Sequence, residues 1–231
     1  TNNWQDELWL VAGGIFGGSL YFFTENTALG ITQASNVSFI ICTAPLLTTI
    51  LSLLFYKSEK ASKGLIYGSL LALMGVGLIV FNGSFVLKIS PIGDLLTLLA
   101  ALSWAFYSLI IKKMAGRYPT IFITRKIFFY GVLTILPAFL LHPLHPDTVV
   151  LLQPAVLFNL LFLAVLASLI CYVLWNVVLK QLGTVRASNY IYLNPLVTMI
   201  ASFLILDEKI TLVALGGAAC IVCGVYWAEK K

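Results

Sequence analysis

Charged side chains are scarce in this chain of 231 residues. Asp, Glu, Lys and Arg together make up 10 % of it, whereas hydrophobic residues make up 60 %, and the mean hydropathy is +0.99. A water-soluble domain carries about a quarter charged residues. The shortage of charge therefore excludes an ordinary soluble domain and predicts a chain that lies mostly inside a lipid bilayer.

Residues that support catalytic or metal chemistry are also few. The two histidines, His142 and His145, lie among prolines in a connection, so they do not share a regular helical face. The four cysteines fall inside apolar runs and are interpreted as small packing residues: Cys42, Cys171, Cys220 and Cys223. We find no nucleophile–base pair, so we expect no enzyme, no metal and no cofactor.

Long apolar runs are what the chain has instead. A helix needs about 20 apolar residues to cross a membrane. The runs are apolar on all sides, which favours helices over the alternating strands of a barrel. Eight spans are predicted: residues 8–29, 37–56, 65–85, 95–111, 122–141, 157–179, 188–206 and 213–228. The predicted fold class is an all-α polytopic membrane protein.

The basic residues sort to one side of these spans. If the first residues are cytoplasmic, the inner connections and the C-terminus hold twelve: Lys57, Lys60, Lys63, Lys112, Lys113, Arg117, Arg125, Lys126, Lys180, Arg186, Lys230 and Lys231. The outer connections hold only Lys88 and Lys209. Cytoplasmic loops carry the excess of Lys and Arg. We therefore expect a multi-pass protein of the cell membrane with both ends cytoplasmic. Because the basic residues follow the sides of the membrane and form no patch, the net charge of +5 is not a reason to expect a nucleic-acid partner.

Two stretches, residues 26–76 and 176–225, are similar to each other at a spacing of 150 that slips by one residue. Matching residues include Asn26 and Asn176, Ser38 and Ser188, Pro45 and Pro195, Gly68 and Gly217, and Gly75 and Gly224. The matching glycine stripes allow close helix packing, as a pseudo-symmetric scaffold in one interpretation and as packing alone in the other.

Equivalent helices of the two copies are an odd number of spans apart, so they must cross the membrane in opposite directions. Inverted repeats are typical of secondary transporters. Two predicted helices precede the second copy, and none precedes the first. We therefore expect eight helices of a ten-helix, 5+5 arrangement, with residues 1–88 as three helices of the first repeat and 89–231 as the second. The alternative is a genuine eight-helix protein.

The chain resembles the drug/metabolite transporter superfamily, of the EamA type. The resemblance rests on ALGITQASNVSFIICTAPLLTTILSLLF with SEKASKGLIYGSLLALMGVGLIVF, on VLKQLGTVRASNYIYLNPLVTMIASFLILDEKITLVALGGAACIVCGVYW, and on GDLLTLLAALSWAFYSLIIKKM. It implies ten helices in a complete protein, cytoplasmic ends, a monomer, and transport of small metabolites such as amino acids, often as export.

Polar residues inside spans are candidate functional residues. Glu25 is the one acid well inside a span, with Tyr21 one turn before it. A carboxyl group in an apolar environment takes up a proton readily, so Glu25 is a candidate for proton coupling or for binding a substrate amine. The alternative is an interfacial Glu that bonds a neighbouring helix.

Aromatic and amide side chains mark further candidate substrate-binding positions: Tyr172, Trp175 and Asn176 at the place equivalent to Glu25, and Trp104, Tyr107 and Ser108 on one face of the fourth span. Such a set can bind a zwitterion or a flat organic solute. Packing against lipid or a neighbouring helix is the competing interpretation.

Pro45 and Pro195 occupy matching helix interiors, where each frees a backbone carbonyl and kinks its helix. The resemblance implies that this helix pair lies along the central cavity, which adds Ser38, Cys42, Tyr190 and Asn194 to the candidate substrate-binding residues. A kinked packing helix is the alternative.

The inverted repeat predicts a secondary transporter that works by alternating access around a midplane cavity, and the resemblance implies that it exports small amino-acid-like or amphipathic solutes. The alternative is a non-transporting membrane receptor or assembly subunit on the same scaffold. The partners expected are a small-molecule substrate and the lipid bilayer.

Overall fold

The computed structural model describes residues 1, 3–56, 62–81, 90–141, 148–206 and 210–230, and these ranges contain helices and no strand. The α-helices in chain order are α1 (Trp4–Gly14), α2 (Leu20–Ile31), α3 (Ala34–Ile41), α4 (Ala44–Phe55), α5 (Lys63–Phe81), α6 (Pro91–Ala115), α7 (Thr120–Leu141), α8 (Thr148–Leu151), α9 (Pro154–Leu161), α10 (Cys171–Leu182), α11 (Thr184–Asn189), α12 (Asn194–Leu206) and α13 (Leu212–Glu229). Two π-helical segments, Ile15–Ser19 and Phe162–Ile170, join α1 to α2 and α9 to α10. A 3-10 helix, Tyr190–Leu193, joins α11 to α12.

Several stretches of the described chain are long and apolar enough to cross a membrane: Asn36–Phe55, Lys63–Phe81, Pro91–Ala115, Thr120–Ala138, Pro154–Leu182 and Leu212–Glu229. They confirm the predicted all-α polytopic membrane protein. Helices also occupy residues 4–31 and Asn194–Leu206, where the other two crossings were predicted, and the count of eight stays a prediction. Some residues of the charge and histidine predictions lie outside the described residues: Lys57, Lys60, Lys88, His142, His145, Lys209 and Lys231.

Helices α5 and α13 pack backbone to backbone through the glycine stripes. A methyl group added to Gly224 would lie 2.5 Å from the carbonyl oxygen of Gly68, and one added to Gly217 would lie 2.7 Å from that of Gly75. Residue numbers rise along one helix as they fall along the other, so the two helices are antiparallel. Gly68 corresponds to Gly217 and Gly75 to Gly224 in the sequence repeat. Each contact is therefore the image of the other.

The helix of residues 4–31 packs parallel to α7. Gly14 lies against Gly131, where a methyl group added to Gly14 would come within 2.9 Å of the Gly131 nitrogen. Further along, the hydroxyl oxygens of Ser19 and Thr134 are 2.8 Å apart and share a hydrogen bond. Small residues thus bring these two helices close together over several turns.

Two helical stretches are interrupted just before a proline. Helix α3 ends at Ile41 and α4 begins at Ala44, with Pro45 in its first turn. Helix α12 begins at Asn194 directly after the 3-10 helix, with Pro195 as its second residue. Proline lacks the N–H that would continue the helical hydrogen bonds and is accepted in a first turn. The two interruptions fall at matching places of the repeat.

The two π-helical segments also fall at matching places. At the repeat spacing of 150, residues 15–19 correspond to residues 165–169, which lie inside Phe162–Ile170. The surroundings of the two segments differ. Gly17 and Ser19 are buried in the first, whereas the second has no buried residue. The second segment therefore presents an apolar surface that the described residues leave uncovered.

Candidate functional site

A cavity of about 420 Å³ lies where the two interrupted helices meet. Ala44, the first residue of α4, and Asn194, the first residue of α12, both line it. The full lining is Tyr21, Ile41, Ala44, Ala101, Trp104, Trp175, Tyr190, Ile191 and Asn194. None of these side chains carries a formal charge. The volume suits an organic solute of about the size of an amino acid.

Aromatic rings form one wall of the cavity. The Trp104 ring lies 5.1 Å from the Tyr21 ring and 5.8 Å from the Trp175 ring, measured between centroids. The three rings come from α2, α6 and α10, which the fold brings together although they are far apart in sequence. Their faces can stack on a flat solute or attract a cation.

The indole N–H groups of Trp104 and Trp175 have no hydrogen-bond partner among the described residues. Both nitrogen atoms are shielded from solvent, and no acceptor among the described residues lies within reach of either. Most buried polar atoms in folded proteins are paired. Two unpaired donors on adjacent rings of one cavity wall are therefore unusual.

Glu25 lies one turn beyond Tyr21 on α2. The Tyr21 hydroxyl donates a hydrogen bond of 3.1 Å to Glu25 Oε1. The Glu25 side chain is half-buried, and no ion pair joins it to a basic residue in the part of the chain that the structure describes. Glu25 does not itself line the cavity, but Tyr21 connects its carboxylate to the cavity wall.

Three of the predicted residues make buried hydrogen bonds beside the cavity. The Tyr107 hydroxyl donates to Asn176 Oδ1 at 2.7 Å, and Asn176 Nδ2 donates to the Thr124 hydroxyl at 2.9 Å. The Tyr172 hydroxyl donates to the carbonyl oxygen of Gly17 at 2.5 Å, in the first π-helical segment. These hydrogen bonds join α6, α7 and α10 to the helix of residues 4–31.

Three other predicted residues lie outside the cavity lining. Cys42 is buried in an apolar cluster with Val76 and Tyr192. Ser38 is an exposed residue of α3, and its carbonyl oxygen accepts from the Cys42 nitrogen. The Ser108 hydroxyl donates to the Trp104 carbonyl oxygen at 3.0 Å. The predicted residues that do line the cavity are Tyr21, Trp104, Trp175, Tyr190 and Asn194.

Polar contacts at the start of the first helix were not predicted from the sequence. Arg117 Nη1 donates to Asp6 Oδ1 at 2.5 Å. Lys126 Nζ donates to Glu7 Oε1 at 2.6 Å, and the Tyr130 hydroxyl also donates to that carboxylate. The hydrogen bond from Lys126 holds the pKa of Glu7 at about 2, below its usual value of 4.5. The sequence signal that could have indicated these contacts is the pair of acids at the start of the first helix, because the connection before α7 on the same predicted side of the membrane is basic.

Comparison with known proteins identifies the family. The EamA-like transporter family matches residues 1–81 and 91–228. The chain belongs to this family. As an EamA-like protein it is a multi-pass membrane transporter and not an enzyme. The EamA match thus confirms the resemblance that the repeated motifs indicated.

Similar proteins support the same assignment. An "Uncharacterized transporter" of Archaeoglobus fulgidus is 30 % identical over 218 residues, which are 93 % of this chain and 73 % of that protein. A "Probable amino-acid metabolite efflux pump" of Salmonella typhimurium is 29 % identical over 182 residues, 74 % of this chain and 60 % of that protein. A protein of known crystal structure is 19 % identical to this EamA-like chain and superposes on it with a TM-score of 0.79. The match covers 99 % of this chain and 77 % of that protein's chain, which shows that the two share a fold.

Proposed function

We propose that this EamA-like transporter exports small amino-acid-like or amphipathic organic solutes by alternating access around the cavity between α4 and α12. The cavity is the observation that carries the proposal. It lies at two matching helix interruptions, where inverted-repeat transporters place their substrate sites. A similar protein of Salmonella typhimurium bears the name of an amino-acid metabolite efflux pump.

The reciprocal packing of α5 and α13 supports alternating access. Inverted repeats provide two halves of similar structure, so an outward-open and an inward-open state differ by exchange of their conformations. The contacts of Gly68 with Gly224 and of Gly75 with Gly217 give these halves a shared axis. The halves can rock about this axis while the cavity opens to one side or the other.

Glu25 is proposed as the proton-coupling residue. It is a half-buried carboxylate without a basic partner among the described side chains, and its hydrogen bond with Tyr21 connects it to the cavity wall. A carboxyl group in a membrane interior exchanges its proton when its access to water changes. Proton binding at Glu25 would then be linked to the state of the cavity.

Efflux from proteoliposomes tests the proposal. The full chain is reconstituted with a mixture of radiolabelled amino acids inside, and efflux is measured with and without an imposed pH gradient. We expect efflux above that of protein-free vesicles, and a dependence on the gradient that Glu25→Gln abolishes. Asp94→Asn removes an acid that does not line the cavity and serves as the control, with its gradient dependence retained.

The transport function and the coupling role of Glu25 can be refuted independently of each other. Efflux equal to that of protein-free vesicles overturns the transport function. Unchanged gradient dependence in Glu25→Gln removes this residue from the coupling role and leaves transport in place. We further propose that both described ends lie in the cytoplasm, as the distribution of basic residues indicates. The protein is proposed to act as a monomer in the cell membrane, as the resemblance implies.

A further inference from the structure

We infer that a groove between the helix of residues 4–31, α6 and the end of α4 binds an anionic phospholipid, with an acyl chain inside the groove and the phosphate at Lys112 and Lys113. The inference starts from a second cavity, of about 440 Å³, which shares no lining residue with the cavity between α4 and α12. It does not depend on which solute the protein transports.

This second cavity, the lateral groove, is almost entirely apolar. Eight of its nine lining residues are hydrophobic, and the ninth, Lys113, lies in the last turn of α6. Burial of a polar group without a hydrogen-bond partner costs free energy, so an apolar cavity favours an apolar occupant. The lining consists of Trp9, Ala12, Phe16, Phe55, Tyr56, Phe106, Leu109, Ile110 and Lys113.

The lateral groove runs along the helix axes. Its lining on α6 extends from Phe106 to Lys113, which is about 10 Å of helix. At the end away from Lys113, the Phe16 and Phe106 rings stack with their centroids 5.2 Å apart. Phe55 of the lining is exposed, so the described residues leave the groove open to the bilayer on one side. Such a groove suits an acyl chain, because the tails of a bilayer lie parallel to the helices that cross it.

Positive charge lies at one end of the lateral groove. Lys113 Nζ is 3.8 Å from the centroid of the Trp9 ring, and Lys112 Nζ is 4.2 Å from the centroid of the Tyr56 ring. Both rings line the groove, and no acid does. An ammonium group has three N–H donors, so it can lie over an aromatic face and still donate to a phosphate oxygen. The rings thus hold two cations against the groove wall.

The lysine end of the groove lies at the level of the lipid head groups. The membrane-crossing stretches Asn36–Phe55 and Pro91–Ala115 both end there. Lysine, tryptophan and tyrosine side chains are typical of this boundary. Basic pockets between membrane-crossing helices bind phospholipid head groups, and the proposed orientation puts this pocket in the negatively charged cytoplasmic leaflet. A molecule with an apolar tail and an anionic head matches both ends of the groove.

Brominated lipids test the inference, because bromine on an acyl chain quenches the fluorescence of a tryptophan that it contacts. The full chain is reconstituted in phosphatidylcholine bilayers that contain increasing fractions of brominated phosphatidylglycerol or brominated phosphatidylcholine. The signal of Trp9 is the difference between the unaltered protein and Trp9→Phe. We expect a preference of about 10- to 25-fold for the phosphatidylglycerol at Trp9, since each lysine contributes about fivefold.

Variants separate the head-group contact from the acyl-chain contact. Lys112→Met combined with Lys113→Met should lower the preference to under about threefold. Lys180→Met is the matched control and should leave it unchanged, because Lys180 lies in the last turn of α10 and does not line the groove. Lys113→Arg keeps the charge and should retain the preference. Ala12→Phe fills the groove and should reduce quenching of Trp9 by both brominated lipids. The melting temperature of each variant shows that it is folded.

Three outcomes overturn the inference. Equal quenching of Trp9 by the two brominated lipids shows that the groove accepts hydrocarbon whatever the head group. Absence of quenching by both shows that no acyl chain enters, as when a second copy of the chain covers the groove. An equal loss of preference in Lys180→Met and in the double lysine variant assigns the effect to the general charge of the surface. The efflux experiment tests the transport function separately from all three.

Discussion

Gly217 and Gly75 lie backbone to backbone where α13 crosses α5, so that neither position has room for a side chain. A methyl group on Gly217 would lie 2.7 Å from the Gly75 carbonyl oxygen, and one on Gly75 would lie 2.5 Å from the Gly217 carbonyl oxygen. At the preceding residue, Gly216, such a methyl group would have no atom of the described residues within 4 Å. Of two adjacent glycines on α13, Gly217 therefore has no room for a methyl group, whereas Gly216 has.

We expect Gly217→Ala to destabilise the protein, because the added methyl group forces α5 and α13 apart. Overpacking of this kind costs about 1–3 kcal/mol of unfolding free energy. Gly216→Ala is the matched control and should be neutral or stabilising by up to about 1 kcal/mol, since Ala favours helix over Gly. Unfolding in detergent micelles measures both. Equal stability of the two variants would contradict the close contact.

Removal of the Tyr107 hydroxyl should leave a buried acceptor unpaired. In Tyr107→Phe, Asn176 Oδ1 loses the donor that lies 2.7 Å away, which costs about 1–3 kcal/mol of unfolding free energy. Tyr226→Phe, at a tyrosine that is 65 % exposed, is the control and should change stability little. Loss of the Tyr107 hydroxyl should lower the melting temperature. Because Tyr107 does not line the cavity, we expect the affinity for a transported amino acid to stay within about threefold.

The contact of Glu7 with Lys126 should stabilise the protein in a pH-dependent way. The pKa of Glu7 is about 2 in the folded protein and 4.5 as its usual value, so the folded state favours the carboxylate. Its contribution is complete above about pH 4.5 and is lost as the pH falls toward 2. The melting temperature of Glu7→Gln should therefore lie below that of the unaltered protein at pH 7, with the gap closing in acid.

A double-mutant cycle provides the control for this pair. If the hydrogen bond causes the effect, Lys126→Met should lower stability at pH 7 in the same sense, and the double variant should lose less than the sum. A gap between Glu7→Gln and the unaltered protein that persists undiminished below pH 2 would show that the effect has another origin.

Membrane orientation can be tested at two open glycines. A side chain added at Gly30 or Gly116 would meet no atom within 4 Å in the part of the chain that the structure describes, so a cysteine fits at either position. In a background without the four native cysteines, a membrane-impermeant maleimide should label Gly30→Cys in intact cells and Gly116→Cys only after lysis. The reverse pattern would place the described ends outside the cytoplasm.

Composition and periodicity were sufficient to predict the architecture, because long apolar helices are fixed by local sequence and by the bilayer. The glycine stripes of α5 and α13 were also visible, because they recur at helical spacing. The π-helical segments were not predicted. Such segments depend on the packing of distant residues, as where Tyr172 of α10 binds the Gly17 carbonyl.

The candidate site, like the fold, was predicted from the sequence only in part. Residue type and position in a span brought Tyr21, Trp104 and Trp175 to attention, and the structure places all three on one cavity wall. The partner of Asp6 is Arg117, 111 residues away, and no local pattern relates the two. The unpaired indole donors are likewise a property of three-dimensional packing, because an absent acceptor leaves no mark in a sequence.

The reciprocal glycine contacts of α5 and α13 restrain how the two halves of the chain can diverge. A larger side chain at a glycine of one helix would clash with the backbone of the other. Such a substitution in one copy therefore requires a compensating change in the other copy. Even where matching residues are as different as Glu25 and Trp175, the glycines of this contact are the same in both copies of the sequence repeat.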